Sequence, residues 1–204
     1  MGPLHPVALE LVRSSPERRI QGVLKGEMLM QPTMGSLLDR VRSGDRDAFA
    51  VFVDRYGVMV LRTARLILRD PDLAEDVCQE VFLKSWRHAG TLTDDDAAGW
   101  LNRVAANQAI SAWRRRNRVA ALAERLGLDP GRREALAPEA RLDLEAALGR
   151  LRVSDRAILV LHYYQDLTVE DTAAALRIPL DTAKSRLKTA LRRLRELCGA
   201  EEDE

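Results

Sequence analysis

Six basic residues and no acidic one lie between Thr182 and Arg195, and a one-sign run on a helix is chemistry aimed at an anion. Helical spacing gathers Ala183, Leu187, Ala190, Leu191 and Leu194 on one apolar stripe, which turns Lys184, Ser185, Lys188, Arg192 and Arg195 away from the core. Such a helix fits the major groove of DNA, where basic side chains meet phosphates and base edges. The plainer alternative is an amphipathic helix with a solvated charged face, but mixed signs are the usual pattern there. A short helix precedes it. Thr168 is placed to cap that helix, with Glu170 and Asp171 in the opening turn where the macrodipole favours negative charge. Small Ala173, Ala174 and Ala175 let the two helices cross closely. Arg177, Ile178 and Pro179 form the turn, and Asp181 caps or charges the start of the second helix. The pattern is a helix-turn-helix with a cationic reading helix.

Two further helical segments carry polar chemistry upstream. Residues 72–86 begin after the breaker Pro71, and their apolar stripe runs Ala74, Val77, Cys78, Val81 and Ser85. Asp76, Gln79, Glu80 and Leu83 share another face, which is acidic with one apolar residue. An acidic face does not suit phosphate, so it is either a solvated surface or a surface that docks another protein. Residues 100–118 form a helix with a densely basic end, on which Arg103, Asn107, Ser111, Arg114 and Arg118 fall along one face. Arginine supplies phosphate contacts, asparagine can bond a base edge, and Trp100 or Trp113 can stack on an unpaired base. Equally, both tryptophans can be boundary aromatics and the arginines a favourable helix end.

The elements that must position these groups are helical. The chain is rich in Ala, Leu, Arg and Glu, shows no sustained strand-type alternation, and has 46% hydrophobic but only 4% aromatic residues over 204 positions. That supports one or two small cores rather than one large one. Lys and Arg number 32 against 31 for Asp and Glu, so any nucleic-acid contact must come from segregated patches.

DLAEDVCQEVFLKSW, WLNRVAANQAISAWRRRNR and LRVSDRAILVLHYYQDLTVEDTAAALRIPLDTAKSRLKTALRRL follow one another in the order and spacing of a known family. Over about residues 36–197 the chain resembles an extracytoplasmic-function sigma factor, the compact two-domain group within the sigma-70 family. The resemblance implies an all-α protein of two small helical domains, a region-two bundle and a region-four helix-turn-helix, joined by a flexible linker. It implies that Asp76, Gln79 and Glu80, with Phe82 and Leu83 beside them, dock on the β′ clamp of core RNA polymerase, and that region four meets the β flap. In such proteins the next helix captures the −10 promoter element; Arg103, Asn107, Ser111, Arg114 and Arg115 stand at its positions, and the acidic loop 88–96 matches the loop shaping a base pocket. Thr182, Lys184, Ser185, Arg186 and Lys188 match the helix that enters the −35 major groove. An anti-sigma partner is implied as well. Many relatives carry Asp at the position of Ser111 and Gly at those of Arg177 and Asp181, which leaves the promoter sequence open. Arg177 in a left-handed turn costs roughly 1 kcal/mol relative to glycine.

The expected division is an extension over residues 1–35, region two over 36–118, a linker over 119–138 that allows the domains to lie apart or together, region four over 139–197 and an acidic tail over 198–204. Lys25-Gly26-Glu27 precedes Met28 as a purine-rich ribosome site would encode, so translation is expected to start at Met28, Met30 or Met34. Cys78 and Cys198 form no CxxC, and His5, His88 and His162 are scattered, so no metal or other cofactor is expected. With no run of eighteen apolar residues, membrane insertion is not expected, and a reducing cytoplasm is. No P-loop, zinc-protease or nucleophile-elbow motif is present, which excludes the common covalent chemistries. The alternative to a sigma factor is a helix-turn-helix regulator that never joins polymerase, and it leaves the acidic face of residues 76–83 without a purpose.

Overall fold

The computed structural model describes residues 34–93, 96–126 and 143–198. Most of the expected extension with Met28 and Met30, most of the linker, and most of the acidic tail lie outside the described residues, as do Asp94 and Asp95. Among the described residues every regular element is a helix.

The segment expected to be region two folds as α1 (Met34–Arg42), α2 (Arg46–Leu68), α3 (Pro71–Arg87) and α4 (Ala97–Arg125), with a 3-10 turn at Ala89–Thr91. Local residues set the ends. Gly44 at φ +87 reverses the chain after α1, and the Asp45 carboxylate accepts from the backbone N–H groups of Asp47 and Ala48 to start α2. Its bond from Ala48, helped by the Arg40 guanidinium, holds that carboxyl below its ordinary pKa. Arg69 closes α2 in the left-handed conformation, Asp70 caps Leu73 N–H at 2.9 Å, and Pro71 takes the first position of α3, where its missing N–H costs nothing. The α3 stripe read from spacing is the buried one: Ala74, Val77, Cys78, Val81 and Ser85 all face inward. The core between α2 and α3 is aromatic. Phe52 meets Phe82 edge-on with ring centroids 6.3 Å apart, and Phe49 meets Trp86 at 4.8 Å. Each fully buried Phe contributes roughly 1.5–3 kcal/mol.

Helix α4 runs to Arg125, seven residues past the expected domain edge at 118, although Val119 and Leu122 are exposed there. Local propensity, with Ala, Leu, Arg and Glu in succession, carries that extension without burial.

The segment expected to be region four folds as α5 (Asp143–Arg150), α6 (Val153–Leu159) running into a π-helical turn (Val160–Tyr164), α7 (Val169–Leu176) and α8 (Leu180–Leu197). Its own core is small, formed by Leu151, Ile158, Leu159, Ala173, Ala183 and Ala190 with the partly buried Leu187, Leu191 and Leu194 packed on them. Both domains also share a core: Val153, Ala157, Val160, Leu161 and Ala175 of region four join the buried cluster of α2, α3 and α4. The chain is folded together, one of the two arrangements that the linker allows.

Candidate functional site

Three polar faces are candidates. On α3, Asp76 and Glu80 are exposed and Gln79 and Leu83 half-buried, so the four form an open acidic face with an apolar neighbour. Phe82 corrects the expectation: at 1% exposure it lies in the aromatic core, because it falls on the buried side of α3 beside Val81. It supports the face from below and offers no surface to a partner.

On α4 the expected face divides. Ser111, Arg114 and Arg115 are exposed. Arg103 is held by the Asp96 carboxylate at 2.5 Å, just before the start of α4. Asn107 is engaged, its Nδ2 donating to Arg103 O at 2.9 Å and to Ala175 O of α7 at 2.6 Å. Arg116, absent from the expected set, pairs with Asp70 at the start of α3. Trp100 and Trp113 are partly buried against the core, so both are boundary aromatics in this arrangement.

The helix-turn-helix is punctuated as its residue chemistry predicts. Thr168 Oγ1 accepts from Asp171 N–H at 3.0 Å, and Arg177 sits left-handed at φ 53 and ψ 48, the conformation glycine adopts without cost. Helix α8 starts at Leu180 with no side-chain cap, so Asp181 places charge in the first turn and does not cap it. Lys184, Ser185, Lys188, Arg192 and Arg195 are exposed, while Thr182 and Arg186 are half-buried beside them. Of the three small alanines, Ala173 packs under α8, Ala174 is exposed, and Ala175 faces region two.

Sequence reasoning missed the polar contacts between the domains. Asn102, 4% exposed, donates from Nδ2 to Gln165 Oε1 at 2.8 Å, and Gln165 Nε2 donates to Thr63 Oγ1 at 2.5 Å. Thr63, fully buried, donates in turn to Met59 O at 2.9 Å. The π-helical turn places Gln165 there, since its own N–H bonds back to Val160 O at 3.0 Å. Arg156 is buried without a carboxylate: Nε donates to Ile67 O at 2.7 Å, and Nη1 lies 3.0 to 3.2 Å from the carbonyls of Leu148, Gly149 and Leu151. Burial, with Arg69 nearby, pulls its pKa down to about 10. Nothing in local spacing separates these four residues from ordinary helix-surface polar groups.

Residues 52–119 match the sigma-70 region 2 family and residues 147–196 the sigma-70 region 4 family. The ECF RNA polymerase sigma factor SigK of Mycobacterium ulcerans (strain Agy99) is 32% identical over 179 residues, covering 82% of this chain and 94% of that protein. This chain is an extracytoplasmic-function sigma factor of the sigma-70 family. SigK of Mycobacterium tuberculosis (strain ATCC 25177 / H37Ra) is 30% identical over 181 residues, covering 84% of the sigma factor and 97% of that relative. Among solved structures, the sigma factor RpoE of Bartonella quintana, in complex with the anti-sigma factor NepR, shares the fold at a TM-score of 0.59 and 22% identity over 74% of this chain and 98% of that one. CnrH, in complex with the cytosolic domain of CnrY, does so at 0.56 and 23% over 81% and 97%. Within the described residues, no helix of the sigma factor is long and apolar enough to cross a membrane.

Proposed function

We propose that the sigma factor docks on the β′ clamp of core RNA polymerase through Asp76, Gln79, Glu80 and Leu83 of α3, with region four meeting the β flap. The reading is carried by one observation: the acidic face stays exposed while the domains are packed together, and a regulator acting without polymerase has no use for it. Once docked, α8 enters the −35 major groove with Thr182, Lys184, Ser185, Arg186 and Lys188. The α4 residues Arg103, Asn107, Ser111, Arg114 and Arg115 then hold unpaired bases of the −10 strand. Roles divide into phosphate positioning by the long basic side chains and base reading by the shorter polar ones.

No bond is made or broken in these steps, so the protein acts as a specificity subunit and not as an enzyme, and it works where core RNA polymerase is, in the cytoplasm. An anti-sigma partner fits the apolar groove of about 310 Å³ at the domain junction, lined by Leu66, Leu159, Tyr163, Tyr164, Leu191 and Leu194. RpoE and CnrH, which share the fold, are each seen with a bound partner, the first named as an anti-sigma factor.

The test is charge reversal on α3. The acidic face implies a basic docking surface on the β′ clamp, and like charges set against it cost several kcal/mol, so Asp76→Lys with Glu80→Lys abolishes binding to core polymerase in fluorescence anisotropy while circular dichroism stays unchanged. A well-folded double variant that binds core polymerase as tightly as wild type removes the docking assignment. Run-off transcription on a genomic fragment library then gives the promoter.

A further inference from the structure

A cavity of about 700 Å³ lies where the α2–α3 turn, the basic stretch of α4 and the α5–α6 turn meet. That is within the range of roughly 300–1,000 Å³ that encloses a small ligand. Five arginines line it, Arg69, Arg114, Arg116, Arg152 and Arg156, against two carboxylates, so the lining is cationic. Arginine clusters on helix surfaces are ordinarily solvated, and three observations set this one apart. The carboxylates are already taken: Asp70 accepts from Leu73 N–H and pairs with Arg116, while Asp72, like Arg69, is engaged as well. What remains is Arg114 on α4 and Arg152 just before α6, and neither guanidinium has a hydrogen-bond or ion-pair partner among the described residues. Arg156 is 5% exposed, yet only its Nε and Nη1 are bonded, to Ile67 O and to the carbonyls around the end of α5. Its Nη2 has no acceptor among the described residues and is left to the cavity. The walls between these cations are apolar, from Trp113, Leu68 and Leu151, and low-dielectric walls concentrate the field of the arginines on whatever enters. Burial and the charge of Arg69 pull the Arg156 pKa down to about 10, and an anion among the arginines offsets both effects.

Guanidinium forks bind phosphate oxygens in pairs and keep their charge at physiological pH. Three of them on one cavity suit a group with several phosphate charges better than the single charge of a carboxylate or a phosphodiester. We infer that the cavity is a binding site for the polyphosphate group of a small molecule, held by Arg114, Arg152 and the free Nη2 of Arg156. The chemistry is a chain of phosphates, supplied by a nucleoside triphosphate or by an inorganic polyphosphate, and the experiment separates these two sources. Arg114 also stands in the −10 set, and for that reason it is left unchanged in the test.

The experiment is isothermal titration calorimetry on the full chain in about 0.15 M salt, where exposed charges are screened beyond ~8 Å. The ligands are ATP, inorganic tripolyphosphate, adenosine and the dinucleotide thymidylyl-thymidine. ATP and tripolyphosphate are expected to bind one-to-one, and Arg152→Gln to weaken that binding at least tenfold. Tighter binding of ATP assigns the site to a nucleotide with its base against Trp113, and equal or tighter binding of tripolyphosphate assigns it to the inorganic chain. Arg152 is exposed and its side chain caps nothing, so the glutamine leaves the fold intact. Ser154→Glu sets a carboxylate into the lining, in the first turn of α6 where negative charge is tolerated, and should abolish binding. If that variant loses its helicity, Arg152→Gln decides. Arg62→Gln removes the same charge from an exposed position of α2 outside the lining and should change nothing. The inference is overturned if neither phosphate chain binds at millimolar concentration, if Arg62→Gln weakens binding as much as Arg152→Gln, or if a well-folded Ser154→Glu binds as wild type does. Adenosine or the dinucleotide binding as tightly as ATP overturns it too, since the cavity then reads a base or a single phosphodiester and not a polyphosphate.

Discussion

Arg156→Met removes a guanidinium from a site where it is 5% exposed, while keeping most of the aliphatic stem. Four carbonyls lose a charged donor, those of Ile67, Leu148, Gly149 and Leu151. Nε carries one hydrogen and Nη1 two, so three donors serve the four carbonyls; at about 1.5–3 kcal/mol for each hydrogen bond to a charged group, the gross loss is roughly 4.5–9 kcal/mol. Against this stands the cost of burying the charge. The pKa held down to about 10 from 12.5 bounds what the substitution recovers at ~3 kcal/mol, a part of which is repulsion from Arg69 rather than burial. The expected net destabilisation is about 2–6 kcal/mol, because neutral carbonyls lose their donors while no buried charge is left behind. At roughly 2–4 °C per kcal/mol for a chain of this size, Tm falls by ~10 °C. Arg156→Lys should fall between, because one ammonium cannot reach both Ile67 O and the α5 carbonyls. Differential scanning calorimetry measures both. A change under 2 °C, or a rise, refutes the reasoning, since buried ionic groups are sometimes replaced by apolar ones at no loss.

In region four, Arg186→Ala or Lys188→Ala should weaken holoenzyme binding to promoter DNA, by about 1–3 kcal/mol at a base contact and with a shallower salt dependence at a pure phosphate contact; titration at several salt concentrations distinguishes them, and an unchanged affinity and slope exclude both roles. Arg114→Ala with Arg115→Ala should spare closed-complex formation yet lower permanganate reactivity of thymines near −10, whereas loss of duplex binding with normal opening would reverse the assignment. Burial, aided by the Glu75 charge, pushes the Cys78 thiol up to about 12, so at pH 8 one thiol, that of half-exposed Cys198, should react rapidly with a thiol reagent and Cys78 only on unfolding. Because that folded pKa exceeds the ordinary 9.0, the contribution is intact below pH 9 and lost as pH rises toward 12, so the stability gap between wild type and Cys78→Ala should narrow across that window in urea titrations. Arg177→Gly should raise Tm by a few degrees, relieving roughly 1 kcal/mol of left-handed strain.

Much of this protein is legible in its sequence, because its signals are local. A period of 3.6 assigned the buried stripe of α3, from Ala74 to Ser85, and the exposed basic face of α8. Capping chemistry set the bounds of α7, with Thr168 at one end and Arg177 in the turn, since a cap acts on a backbone only two or three residues away. Family membership was legible for the same reason, as three motifs kept their order and spacing. What failed locally was the finer side of each helix: Phe82 lies beside Leu83 in sequence, yet one step of 100° puts it in the core. What only the tertiary structure decided was the relation of the domains. Asn102, Gln165 and Thr63 are separate polar side chains up to 102 residues apart, Arg156 lies 89 residues from the Ile67 carbonyl it bonds, and nothing in the spacing says that these groups meet. A hydrogen bond between distant residues depends on where two packed surfaces come to rest, and that is settled by burial of Ala157, Leu161 and Ala175 against α2 and α4 rather than by any periodicity. The residue types of the DNA-binding face therefore belong to the sequence, whereas the occupation of Asn107 by the partner domain belongs to the fold.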